Sequence, residues 1–160
     1  MGIKSALKNK KGFTIIEVVL VLAIAGLIFL MVFIALPAMQ RSQRDTQRKD
    51  DMARFNTALN NYQSNNNGKV PSDWSAFVNN YLKTGNDSFE DPDGSTYNVH
   101  FNGKASGDIV YQKSWEESNH TVEVYTGATC NGETITKSSG ERKVAFQYKL
   151  EGGGVYCGNN

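Results

Sequence analysis

The chain has 160 residues, with seventeen Lys and Arg against sixteen Asp and Glu for a formal net charge of +1, and a mean hydropathy below zero. That length suits one domain of ordinary size and excludes a large multidomain enzyme, and the near-neutral charge argues against the strongly basic surface that general nucleic-acid binding uses. The apolar residues, 39% of the chain, are unevenly spread: 21 of the 24 positions from Phe13 to Leu36 are apolar, the exceptions being Thr14, Glu17 and Gly26.

Residues Met1 to Gly12 carry Lys4, Lys8, Lys10 and Lys11 and no acidic side chain. Such a basic flank keeps an N-terminus in the cytoplasm and sends the rest of the chain outward. As a helix, the 24 residues from Phe13 to Leu36 reach roughly 36 Å, enough to cross a hydrocarbon core of about 30 Å with some tilt. A core helix of a globular protein is the alternative, but a helix apolar on every face needs protein on every side, which the remaining sequence is too polar to supply. A cleaved secretory signal is also disfavoured, because its apolar run is shorter and Ala35-Leu36-Pro37 is a poor cleavage site. Glu17 stands out, since a carboxylate in an apolar helix costs about 2.5 to 3.5 kcal/mol at the bilayer centre and marks a function or a partner. The plainer reading is a carboxylate near the helix start, where the macrodipole favours negative charge.

The run Lys10-Lys11-Gly12-Phe13-Thr14-Ile15-Ile16-Glu17 resembles the class III signal of type IV pilins and pseudopilins, in which a short basic leader ends in Gly and is followed by Phe and, four residues on, Glu. The resemblance implies that a prepilin peptidase cuts between Gly12 and Phe13 and methylates the new amine of Phe13. It implies that the mature chain polymerises through its apolar helix, Glu17 of one copy neutralising the Phe13 amine of another. Pairing removes the cost of a bare buried charge and sets register between otherwise similar apolar surfaces. Gly26 and Pro37 are the helix-weakening residues, and a kink or local melting is expected around Phe33 to Pro37, as such a stretch can unravel in a filament. Pro37 lies a few residues later than in many members of the family.

Residues Gln40 to Asp51 include no apolar side chain; Arg41 with Asp45 and Asp45 with Lys49 are i,i+4 pairs, and Arg41, Arg44 and Arg48 share a face. This reads as a solvated helix, or as one that meets acidic neighbours in a filament or lipid headgroups before assembly. Met52, Phe55, Leu59 and Tyr62 then form an apolar stripe that ends at Asn65-Asn66-Asn67-Gly68. A short helix comes next, with Ser72 as the expected cap and Trp74, Phe77, Val78, Tyr81 and Leu82 at helical spacing. Strands are expected over Thr96 to Phe101, Ile109 to Lys113, Thr121 to Thr126 and Val144 to Leu150. The expected fold is α+β: a long N-terminal helix packed on a small antiparallel sheet, the lollipop of type IV pilins. Its parts are a leader (1–12), a membrane and filament-core helix (13–36), a polar then amphipathic helix (37–67) and a head (68–160).

Cys130 and Cys157 lie in the exported part, where oxidation is permitted; pairing resembles the C-terminal disulfide loop of many pilins and would tie down the loose C-terminus, and two free thiols is the alternative. Asp91-Pro92-Asp93-Gly94 has the residues of a type I turn. Asp87, Glu90, Asp91 and Asp93 together form an acidic cluster for which calcium is the sharper alternative, otherwise no cofactor is expected. His100 and His120 have no ligand-like spacing and read as surface residues. No phosphate loop, metalloprotease helix or nucleophile elbow is present, so no enzyme is expected. The expected partners are copies of the chain, prepilin peptidase, a membrane assembly platform with separate ATPases, and the membrane before assembly. Adhesion, twitching motility and DNA uptake are the roles such a filament serves, a host surface or DNA being what it would meet. Removing the leader leaves thirteen basic against sixteen acidic residues, a net charge of −3 that argues against general electrostatic DNA binding. The expected path runs from a single-pass membrane precursor to an extracellular filament; a pseudopilin, a minor pilin and a membrane-anchored binding domain that never polymerises are the alternatives.

Overall fold

The computed structural model describes residues 12–85, 88–111 and 120–160. Helix α1 (Ile15–Asn65) is followed by α2 (Trp74–Phe77), which runs into one π-helical turn (Val78–Leu82), and by six strands: β1 (Asn98–Lys104), β2 (Thr121–Thr126), β3 (Ala128–Asn131), β4 (Thr134–Lys137), β5 (Val144–Lys149) and β6 (Val155–Asn159). The chain divides into two compact units, residues 1–39 and 40–160.

In the first unit the backbone is helical through Gly26 and Pro37, so the melting expected around Phe33 to Pro37 is no property of the single chain. Its large apolar side chains face outward, with exposures between 42% at Val32 and 90% at Phe13.

The second unit has an α+β core. The expected stripe of α1 is there: Met52, Phe55, Ala58 and Leu59 are buried among Trp74, Phe77, Val122, Val124, Val144, Phe146 and Tyr148. Phe55 is the centre, with ring contacts to Trp74, Phe77, Phe89 and Phe146 at centroid distances from 4.8 to 6.4 Å. The helix stops where the asparagines predicted it, as Asn67 and Gly68 take positive φ (55° and 75°), a conformation that ends a right-handed helix. The cap of α2 is Asp73 rather than Ser72: its carboxylate accepts from the Ala76 amide at 2.9 Å.

The sheet corrects the expectation of a purely antiparallel one. Its order is β1-β2-β5-β6, and β1 pairs with β2 in parallel, while β2–β5 and β5–β6 are antiparallel. Parallel neighbours need a crossover of about a dozen residues or more, which the connection from Ala105 to His120 provides. Only part of the expected Ile109 to Lys113 strand lies within the described residues, and there Ile109 makes a single bridge with Ile135. A second sheet, the hairpin β3–β4, was not anticipated. Gly132 (φ 61°) takes the first of its two turn positions, which a type II′ hairpin gives to glycine. The hairpin covers the sheet face opposite α1, packing Ala128 and Ile135 against Ala145. This is why consecutive residues of β2 and β5 are buried and neither strand keeps a solvated face.

Candidate processing and assembly site

The N-terminal site starts from Thr14-x-x-Glu17, the spacing of a capping box. Thr14 precedes the first helical residue, and its amide and its hydroxyl both donate to Glu17 Oε2, at 2.8 and 2.7 Å. In the isolated chain the anomalous carboxylate therefore closes the start of its own helix. Gly12 and Phe13 lie just outside α1 and are exposed, with Phe13 the most exposed large apolar residue described. A Cβ at Gly26 would meet nothing within 4 Å, so that glycine answers no packing demand inside the single chain. An apolar surface this large, bare on every side, requires lipid or protein around it; α1 contains the one described stretch long and apolar enough to cross a membrane.

Residues 7–33 match the family model of the prokaryotic N-terminal methylation motif. This segment is the class III signal peptide of type IV pilins. No curated protein and no solved structure matches the chain. The matched segment holds the end of the basic leader, Gly12, Phe13, Glu17 and most of the apolar helix, and it marks a type IV pilin-like or pseudopilin precursor. The motif implies processing by prepilin peptidase and assembly from pilin subunits, and it belongs to a structural class of protein. A membrane-anchored precursor follows from the motif and the apolar helix together.

In the head of this pilin-like chain, the polar neck is largely exposed, as its composition suggests, but one face of it is not solvated. Asp45 and Arg48 are buried. Arg48 grips Asp91 with two hydrogen bonds, Nε to Oδ2 at 2.7 Å and Nη2 to Oδ1 at 2.8 Å, and reaches Asp45 and Glu151 at 3.1 Å each. Arg44 pairs with Glu151 at 2.5 Å. Asp45 accepts from the amides of Glu151 and Gly152 at 2.8 and 2.7 Å, and a Cβ at Gly152 would come within 2.8 Å of Asp45 Oδ2. The i,i+4 pairs expected within the neck are thus replaced by long-range pairs to the Asp91–Gly94 turn and the β5–β6 loop. Charge and donors set the ionisation. Hydrogen bonding to Asp91 raises Arg48 above its ordinary range. Burial would raise Asp91, but Arg48 and the Tyr148 hydroxyl outweigh it and hold the carboxyl well below the usual range. Burial would likewise raise Asp45, and the two loop amides with Arg48 reverse the sign. Arg44 pulls Glu151 down to about 2.

Of the acidic cluster, Glu90, Asp91 and Asp93 lie within the described residues. The turn expected at Asp91-Pro92-Asp93-Gly94 forms, with the Gly94 amide on the Asp91 carbonyl at 2.8 Å. Asp87 lies outside the described residues, and Glu90 is exposed in an isolated bridge with Thr96. Asp91 and Asp93 converge with His120, each bringing a ligand-type atom within 4.8 Å of the others. The Arg48 guanidinium meets the same Asp91 carboxylate. His120 is half-buried rather than a surface residue, a placement its sequence spacing could not reveal. Cys130 of β3 and Cys157 of β6 form a disulfide with their Cα atoms 5.9 Å apart. The C-terminus it secures is the edge strand β6 rather than a loose tail. Opposite Phe146 in that strand stands Gly158, where a Cβ would collide with the Phe146 ring.

Proposed function

We propose that the chain is a structural, non-enzymatic subunit of a type IV pilus, inserted in the membrane with its N-terminus in the cytoplasm and later drawn into a surface filament. Prepilin peptidase removes residues 1–12 by cutting after Gly12 and methylates the amine of Phe13. The observation that carries the reading is Glu17, an acidic residue at the fifth position after the cut in a helix that is otherwise apolar and bare. An anchor has no use for that charge. In a filament, the methylated amine of one subunit neutralises the carboxylate of its neighbour and sets the axial register of helices whose remaining surfaces are alike. Gly26 and Pro37 bound the stretch able to unwind when subunits pack, Pro37 because it lacks an amide donor. Assembly would use an inner-membrane platform with separate ATPases, and the exposed heads would meet host surfaces or DNA in adhesion, twitching motility or DNA uptake.

The test is Glu17→Ala in the native host. The variant is expected to be cleaved normally, shown by the mass of the mature chain, and to form no filaments visible by electron microscopy. Filaments at wild-type abundance would sink the assembly role. Replacing Gly12 by a bulkier residue is expected to leave the precursor mass unchanged, and normal processing would sink the leader assignment. Peptide mass identification from sheared filaments separates the alternatives, because a major pilin dominates them whereas a minor pilin or pseudopilin does not.

A further inference from the structure

Asn followed by Gly occurs three times, at Asn67-Gly68, Asn102-Gly103 and Asn131-Gly132. The dipeptide has a chemistry of its own. With no Cβ on the glycine, its backbone nitrogen can approach the side-chain carbonyl carbon of the preceding asparagine and close a five-membered ring. A folded chain permits this only where the glycine amide has no acceptor, the asparagine side chain is free to turn onto its own backbone, and that backbone can rotate.

The fold withholds these conditions at two of the sites. The Gly68 amide is committed to the Gln63 carbonyl at 2.7 Å in the cap that ends α1, and a Cβ at Gly68 would lie 2.9 Å from the Arg142 guanidinium. Asn102 and Gly103 sit where the pairing of β1 with β2 shifts register between Phe101 and Lys104. There the Asn102 side-chain amide donates to the buried Glu123 carboxylate, and the Gly103 carbonyl accepts from Thr126 Oγ1 at 3.2 Å. The third site differs on every count. Asn131 ends β3, paired with Thr134, and Gly132 opens the turn, both of them exposed. Among the described residues the Asn131 side chain has no hydrogen-bond partner and the Gly132 amide donates to no carbonyl. Turning Asn131 out of extended backbone costs the last pair of a four-residue ladder, not a helix cap or a place within the main sheet.

We propose that Asn131 is a spontaneous modification site, at which the Gly132 nitrogen displaces ammonia from the asparagine side chain and water opens the resulting ring to aspartate or isoaspartate. The Gly132 nitrogen gives its proton to a solvent base and bonds to Cγ of Asn131. The Cγ–Nδ2 bond breaks, and ammonia leaves with a proton drawn from water. Water then cleaves one of the two ring C–N bonds, with no oxidation or reduction at any step. Either product replaces a neutral amide by a carboxylate two residues from Glu133. Isoaspartate also lengthens the main chain by a methylene between two fixed points, since Cys130 is bonded to Cys157 and the Glu133 carbonyl accepts from the buried Gln147 side chain. The tip of the hairpin absorbs that length by opening the pair with Thr134.

The test incubates the full chain in detergent micelles in mildly alkaline buffer made with ¹⁸O-labelled water, beside the same chain unfolded in urea. Peptide mass mapping and an isoaspartate assay follow each site. In the folded chain, conversion at Asn131 is expected to outrun that at Asn67 and Asn102 at least about fivefold, because those sites must first give up a hydrogen bond. In urea the three should convert at similar rates, since the fold creates the preference. Each converted chain should carry labelled oxygen at position 131, Gly132→Ala should slow the reaction in folded and unfolded chains alike, and amide protection at Thr134 should fall in the isoaspartate form. Conversion at Asn67 or Asn102 that matches Asn131 in the folded chain, or an Asn131 that stays intact there while the unfolded chain converts, would overturn the proposal. Unchanged protection at Thr134 would overturn the opening of the tip.

Discussion

At the scale of single residues, the decisive features are charges in places where charge is costly. Glu17 has only the Thr14 amide and hydroxyl as partners within its own helix, and under the proposed assembly role its partner is the Phe13 amine of a neighbour. Arg48 and Asp91 are kept by mutual satisfaction, their side chains 5% and 0% exposed. A buried pair contributes little net stability against an apolar replacement, yet removing one partner strands the other. Arg48→Ala is therefore expected to cost about 3 to 5 kcal/mol in urea unfolding of the micelle-bound chain. Adding Asp91→Asn should recover part of that loss, because it removes the stranded negative charge. Additive losses in the double variant would show that the two residues act independently.

At the scale of elements, the amphipathic half of α1 and the strands β2 and β5 were legible because their periods were clean. Met52, Phe55 and Leu59 repeat at helical spacing, and Val122 and Val124 alternate as strand residues do. The hairpin β3–β4 and the edge strand β6 were missed for a physical reason. Four or five residues rich in Thr, Gly and Asn have little apolar alternation, and these strands are held by pairing, by Gly132 at the turn and by the disulfide. The bond joins β3 to β6, so it fastens the hairpin over the second face of the sheet as well as the edge strand. Replacing Cys130 and Cys157 together by Ser is expected to cost about 3 to 4 kcal/mol in the chain-entropy account of a loop this long. Loss of protection should concentrate in β6 and the hairpin, and uniform loss across the sheet would contradict that placement.

For the whole molecule, acid stability follows from the signs of the shifts around the neck. Asp45, Asp91 and Glu151 are all held below their ordinary ranges, so their contribution is complete above the unfolded carboxylate values near about 4 and is lost as pH falls through the folded ones, about 2 for Glu151. Asp51 opposes this weakly, since burial raises it despite the Tyr97 hydroxyl and Arg54. The melting temperature of the full chain is thus expected to fall below about pH 4, and Arg48→Ala should flatten that fall. An unchanged acid slope in the variant would mean that other carboxylates carry it.

The sequence by itself determined the methylation motif over residues 7–33, the apolar helix and the odd carboxylate within it, because these depend on composition and on spacings of a few residues along one chain. It also determined the stripe that anchors the head, for the same reason. Only the tertiary structure decided that β1 runs parallel to β2, that Asp45 and Arg48 of the polar neck are buried against Asp91 and Glu151, and that His120 meets Asp91 and Asp93. Those contacts join residues tens of positions apart, and a charged side chain reads as solvated until the fold brings it a partner across that distance.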